Sequence, residues 1–305
     1  MHKILRKISI KIYGKFISKF QYLYFFFYVL PLFYIKGEIR SPFTTARGYK
    51  SLLVETELCF FKFSISFDST VHNEYQNFIS LFNTNSISEF LPRYRFLSGF
   101  LYSALICENL KIIPAANVLP VAIDIYRKLN SICDPLQKLN ISNDLYILEV
   151  LKCVEKVFGK ATKLQFDEQV TKFLSNDKYS IGLVHGDFHS RNLMQDLSGL
   201  TKIIDLDCCR LLGVREFDAL YFALEQKWSC DGSFWIDTLS DCLNHSESDT
   251  EKCLSKFGVT FSKELALTFF LDRIGQEISL FNIEYSYNKM IPLINFLNKS
   301  NTYQK

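Results

Sequence analysis

The sequence predicts an α+β protein of two lobes, a small β-rich N-lobe followed by a larger, mostly helical C-lobe. Three observations lead there. Between residues 37 and 110, β-branched and aromatic runs alternate with turn residues and enclose a single helical pattern. From residue 111 onward, apolar residues recur at helical spacing over most of the chain. Two short apolar runs, "IGLVHG" and "TKIIDLD", interrupt that pattern and carry a cluster of His, Asp and Asn residues.

Taken in order, residues 1–20 hold Lys3, Arg6, Lys7, Lys11, Lys15 and Lys19 and no acid, with Ile4, Leu5, Ile8, Ile12 and Phe16 beside them on a helix. "YLYFFFYVLPLFYI" follows, fourteen uncharged residues broken by Pro31. That is shorter than the roughly 20 residues of a membrane-spanning helix, and no small-residue cleavage site follows it. Residues 1–36 fit a peripheral helix lying in the membrane interface, Lys on anionic headgroups and Phe and Tyr in the headgroup zone. They equally fit a helix packed on the first lobe with a solvated basic face.

The N-lobe, residues 37–110, reads as a strand entering from residues 35–40, a loop through "SPFTTARG" to Gly48, a strand over 49–56, a tight turn at Glu57 and a strand over 58–64. Val71, Tyr75, Phe78 and Leu81 or Phe82 then give a helix, and "FLYSALICENL" a strand ending near Glu108. The C-lobe, residues 111–305, opens with a helix after Pro120. "NDLYILEVLKCVEKVFGK" and "FDEQVTKFLSN" are further helices. The two short strands, joined by a turn at Asp196–Gly199, come next, and a helical tail including "SKELALTFFLDRIGQEISLF" closes the chain.

Composition narrows the function classes. With 48% hydrophobic and 22% charged residues the chain is an ordinary globular protein, and a net charge of +3 gives no case for nucleic acid. Nine cysteines without a CxxC pair read as buried reduced thiols of a cytosolic protein.

The chemistry concentrates in "VHGDFHSRN" and "IIDLD". A two-metal phosphoesterase would use the D-x-H unit of Asp187 and His189, but it needs further ligands from later loops, and only His245 lies downstream. Phosphoryl transfer needs an acid to orient the attacking hydroxyl, an Asn and a second acid for Mg²⁺, and a Lys braced by a Glu to position phosphates. Asp187 and Asn192 stand in the D-x-x-x-x-N interval of a kinase catalytic loop. Asp205 ends a short apolar strand, and its carboxylate, like the Asn192 amide, is a hard oxygen ligand suited to Mg²⁺. Lys62 is a lone Lys inside the apolar "CFFKFS", and Glu74 lies on the next helix, so the pair matches the phosphate-positioning ion pair. "ALICENL", ending at Glu108, would join the lobes and offer its backbone to an adenine.

"VHGDFHSRNLM" with "KIIDLD" resembles the H-G-D-x-H-x-x-N … I-D-x-D pattern of the aminoglycoside phosphotransferase and choline kinase group, small-molecule kinases with the protein-kinase-like fold. The resemblance covers roughly residues 37–230. It implies ATP and Mg²⁺ as cofactors, Asp187 as catalytic base, Asn192 and Asp205 as Mg²⁺ ligands, and Lys62 with Glu74 on the nucleotide phosphates. It makes His185 and His189 loop-ordering residues, Asp207 a support for the metal site or a further ligand to it, and Asp218 in "REFDALYFALE" a structural brace of the catalytic loop. One departure stands out: there is no G-x-G-x-x-G between the first strands, only Gly48, with Ser41, Thr44 and Thr45 nearby to cover phosphates. A catalytically inactive kinase-like binding module is the alternative from another class.

The expected acceptor is a hydroxyl of a small molecule or sugar. For a cationic acceptor the tail offers Glu225, Asp231 and Asp237; the basic, aromatic N-terminus points instead to a membrane-linked saccharide.

Overall fold

The computed structural model describes residues 23, 24, 27, 41–44, 52–55, 59–65, 70–83, 87–99, 102–131, 145–174, 180–231, 235–244, 249–280 and 291. The chain gathers into two compact units, Met1–Ile113 with Leu193–Asp207, and Pro114–Asn192 with Cys208–Lys305. Residues 193–207, placed by sequence with 111–305, thus group with the N-terminal unit.

In the first unit five antiparallel strands form a sheet in the spatial order Ser41–Thr44, Leu52–Glu55, Cys59–Ile65, Tyr102–Glu108, Tyr94–Gly99. The aromatic-rich Cys59–Ile65 takes the centre, where such side chains pack best. Phe61 and Phe63 are buried on one face, and the period of two turns Lys62 to the other. Helix Thr70–Phe82 packs on this strand and on Tyr102–Glu108. It buries Val71, Glu74, Phe78 and Leu81, one stripe at helical spacing in which Glu74 is the charged member.

Two strands differ from the sequence reading. "SPFT", expected in a loop, is the edge strand Ser41–Thr44, with Pro42 opposite Val54; an edge tolerates the missing N–H. Tyr94–Gly99 has no counterpart in that reading, because an edge strand with exposed Arg95 and Ser98 shows little apolar alternation. Gly48 and residues 35–40 lie outside the described residues. A second, three-stranded sheet joins Lys111–Ile112, Leu193–Gln195 and Thr201–Ile203. Its hairpin turns at Asp196, whose Oδ1 accepts from the Ser198 and Leu200 amides at 2.9 and 3.0 Å. Of residues 1–36, Tyr24 sets its ring 6.5 Å from Phe63 and 6.4 Å from Tyr102, while Leu23 and Phe27 are exposed. No helix among the described residues is long and apolar enough to cross a membrane.

The second unit is mostly helical. Ala115–Ser131 starts before Pro120 rather than after it. Pro120 forgoes one bond, to the Ala116 carbonyl, close to an end whose first amides lack intrahelical partners anyway. Leu145–Phe158 ends at Gly159, φ +89, whose N–H bonds the Glu155 carbonyl at 3.1 Å. That left-handed cap lets Lys160–Leu174 begin at once, ahead of "FDEQ". Strand Ile181–Val184 pairs antiparallel with Arg210–Val214, a strand whose exposed Leu211 and Leu212 hide it from pattern reading. Helices Glu216–Asp231, Trp235–Asn244, Asp249–Lys256 and Lys263–Leu280 follow. Residues 217–225 and 265–272 are buried without a break, as in helices enclosed on every side.

Lys263–Leu280 packs on Leu145–Phe158 at Gly275, where an added Cβ would lie 2.6 Å from the Tyr146 carbonyl oxygen. Helix propensity would favour Gly275→Ala by about 1 kcal/mol, but that backbone contact cannot yield, and overpacking costs about 1–3 kcal/mol. Gly275→Ala is therefore expected to lower stability, read as a lower midpoint in chemical denaturation.

Candidate active site

In the first unit the site is built around Lys62. Its Nζ donates to Glu74 Oε2 at 2.6 Å and to Asp205 Oδ1 at 2.8 Å, and stands 4.0 Å from Asp207 Oδ2. Lys62 is 8% exposed and Glu74 2%, so neither charge could persist there unmatched. Burial works against the Lys62 cation, yet Asp205 and Glu74 together hold its pKa above the ordinary lysine range. Tyr94 donates its hydroxyl to Glu74 Oε1 at 3.4 Å.

Asp205 follows the strand Thr201–Ile203 with φ +61, the one left-handed non-glycine among the described residues. Asp tolerates that conformation better than most residues, and such outliers cluster at functional sites. Asn77, on the Glu74 helix, donates to the Leu206 carbonyl at 2.8 Å and ties down the same turn. Glu108 accepts from the Arg93 amide at 2.9 Å, at the end of its strand.

In the second unit the loop after Ile181–Val184 presents Asp187. Gly186 has φ +76, and a Cβ there would collide with the Cys208 carbonyl, so the loop needs glycine at that position. Asp218, in the first turn of Glu216–Asp231, accepts from the His185 amide at 2.7 Å and the Gly186 amide at 2.9 Å. Burial raises the Asp218 carboxyl above its ordinary range, while the two amides and Arg215 pull the other way. His185 Nδ1 accepts from the Asp187 amide at 3.2 Å, and His189 Nδ1 from the Arg191 amide at 3.2 Å. Each proton then belongs on Nε2, and His189 Nε2 stands 3.4 Å from Asp187 Oδ2. Asn192 donates through Nδ2 to the Asp187 carbonyl at 2.9 Å and to its Oδ2 at 3.3 Å, which turns Oδ1 into that side chain's candidate metal donor.

Sequence reasoning missed the strongest partner of Asp187. Arg273, on Lys263–Leu280, donates from Nη2 to Asp187 Oδ1 at 2.8 Å and to the Tyr221 hydroxyl at 2.9 Å, and from Nη1 to the Gly186 carbonyl at 2.6 Å. A signal existed: Asp272, Arg273, Gln276 and Glu277 form a polar row directly after the apolar run of residues 265–271, which only Thr268 interrupts. Of the acids considered for a cationic acceptor, Glu225 is buried and 3.4 Å from Arg191, and Asp237 is exposed. The Asp231 side chain and His245 lie outside the described residues.

Asp205, in the first unit, carries a carboxylate and Asn192, in the second, an amide oxygen, each a hard donor of the kind Mg²⁺ takes. Among the described residues no group of three or more His, Cys, Asp and Glu could hold a metal by itself.

No protein-family model and no curated protein matches the sequence. Solved structures do. Choline kinase LicA from Streptococcus pneumoniae is 13% identical with a TM-score of 0.52, covering 89% of this chain and 96% of that one. Its complex with AMP is 12% identical, TM-score 0.51, covering 89% and 96%. A thermostable mutant of aminoglycoside phosphotransferase APH(4)-Ia is 13% identical, TM-score 0.51, covering 90% and 98%. At such identities the likeness speaks for the backbone alone, and on that footing this chain has the protein-kinase-like fold of the choline kinase and aminoglycoside phosphotransferase structures.

Proposed function

We propose that this protein is an ATP- and Mg²⁺-dependent phosphotransferase acting on a hydroxyl of a small molecule or sugar. The observation that carries the reading is the buried Lys62, drawn to 2.6 Å of Glu74 and 2.8 Å of Asp205 on a sheet of kinase-like topology. A cation so held, with its charge secured by two acids, suits the α- and β-phosphates of a nucleotide. Asp187 is the acid that orients the acceptor hydroxyl and takes its proton. Asn192 and Asp205 would give oxygens to Mg²⁺, which when bound neutralises charge on the nucleotide phosphates. Asp218, His185 and His189 order the loop that carries Asp187. Asp207 supports the Lys62 cluster, and the backbone near Glu108 would face the nucleotide. The AMP bound by the LicA structure supports a nucleotide in this fold.

For the acceptor the reading is an uncharged sugar in preference to a cationic amino alcohol. Asp187 and Glu225 already stand against Arg273 and Arg191, so these acids call for no further cation. The basic, aromatic residues 1–36 extend the reading to a membrane-linked saccharide.

The test is thermal stability and ADP release with Mg²⁺-ATP, over a panel of sugars, amino alcohols and glycolipid vesicles, using chains with and without residues 1–36. A nucleotide-induced rise in Tm and transfer to a saccharide are expected. A rise in Tm without turnover on any acceptor would favour the inactive binding module, and no response to nucleotide would overturn the reading.

A further inference from the structure

We infer that Arg273 is a positioning residue for phosphoryl transfer, a fixed strut that orients the Asp187 carboxylate and keeps it in place. The inference rests on the kinase reading above. Arg273 belongs to the enclosed helix Lys263–Leu280, and its side chain is 12% exposed. Its guanidinium carbon lies 4.1 Å from the centre of the Tyr221 ring, stacked on that face. Gln276 Oε1 accepts from Nη1 at 3.3 Å, and Glu277 Oε1 lies 3.9 Å from Nε. Asp272, one residue earlier, is itself locked by a two-pronged bond from Arg210 at 2.7 and 2.9 Å. The helix therefore carries Arg273 on a frame that does not swing.

From that frame the planar fork reaches two successive residues of the loop, the Gly186 carbonyl and the Asp187 carboxylate. A lysine has no second arm for that. Oδ1 of Asp187 is held by Arg273, and Oδ2 faces Asn192 Nδ2 and His189 Nε2. The carboxylate is thus gripped from both ends, which sets the direction of the lone pair left for an acceptor. In transfer, the acceptor oxygen bonds to the γ-phosphorus as the bond to the bridging oxygen breaks. The electron pair leaves with ADP, and the hydroxyl proton passes to Asp187. Because the transition state is loose, that proton moves late, and orientation counts for more than basicity. An arginine beside the base is compatible with this chemistry for that reason.

The experiment compares Arg273→Met, Arg273→Ala and Arg273→Lys with the wild-type chain, by circular dichroism and by ADP release from Mg²⁺-ATP over the acceptor panel. Expected are a fall in kcat of about 100-fold or more for Arg273→Met, a smaller fall for Arg273→Lys, and a KM for ATP within about threefold of wild type. Millimolar guanidinium is expected to restore part of the kcat of Arg273→Ala. Should Arg273→Met fail to fold, Arg273→Lys, which keeps the buried charge, reads the same split. Wild-type kcat in the folded variants would overturn the inference and leave the kinase reading intact. So would a loss of kcat matched by a rise in KM and indifferent to guanidinium, the pattern of a merely structural arginine. A wild-type chain that neither binds nor turns over ATP would overturn both.

Discussion

Asp187→Asn is expected to lower kcat by about 100- to 10,000-fold, the usual worth of a positioned acid–base group, while the protein stays folded. The amide keeps the size of the carboxylate but cannot take a proton. It also sits badly in its surroundings. Oδ1 accepts from Arg273 and Oδ2 faces the Asn192 and His189 donors, so whichever way the new amide turns, its NH₂ meets a donor. One donor left without an acceptor costs about 1–3 kcal/mol. A modest fall in Tm should therefore accompany the loss of turnover, with the circular dichroism spectrum unchanged. Steady-state kinetics and thermal melts on the same preparation check both halves. Near-native kcat in a folded Asp187→Asn chain would remove Asp187 from the role of base.

Which parts were legible in the sequence follows from how local their causes are. The Glu74 helix announces itself because Val71, Phe78 and Leu81 repeat on one face, and the turn at Asp196 because Asp, Ser and Gly bring their own hydrogen bonds. Lys62 and Glu74 could be paired on paper, since a charge inside an apolar strand must find a partner and the next helix supplies one. Edge strands were illegible: Ser41–Thr44 contains a proline and Tyr94–Gly99 is half polar, because an edge needs neither full burial nor a complete ladder. Pro120 misled for a related reason, as a proline near a helix start costs little. Arg273 lies 86 residues from Asp187 in sequence, and what unites them is packing of an enclosed helix against a loop, which no spacing rule encodes. Its polar neighbours directly after an apolar run mark the row as unusual without saying what it serves.

Lys62→Met separates stability from function. Methionine fills the space, but Glu74 at 2% exposure loses the cation 2.6 Å away, and removing one partner of a buried pair costs about 3–5 kcal/mol. The pH dependence has a definite sign. Asp205 and Glu74, against burial, raise the Lys62 pKa above its unfolded value, so the native state holds the proton more tightly. The stabilisation is whole below the unfolded lysine pKa of about 10.4 and is lost only as pH climbs through the higher native value. The deficit of Lys62→Met should accordingly be flat from neutral pH to about 10 and shrink beyond it. Turnover should fall as well, since no cation remains to align the phosphates. The double variant Lys62→Met/Glu74→Leu decides between the two roles. Replacing both charges by apolar groups of similar size removes the stranded carboxylate, and such exchanges are often neutral or better. Urea denaturation should therefore show the double variant more stable than Lys62→Met, while ADP release stays at the level of the single variant. If turnover returned along with stability, Lys62 would be a buried structural charge and the phosphate-positioning role would fall. If stability stayed low while Glu74 was gone, the cost would lie with Asp205, the second acid that Lys62 holds at 2.8 Å.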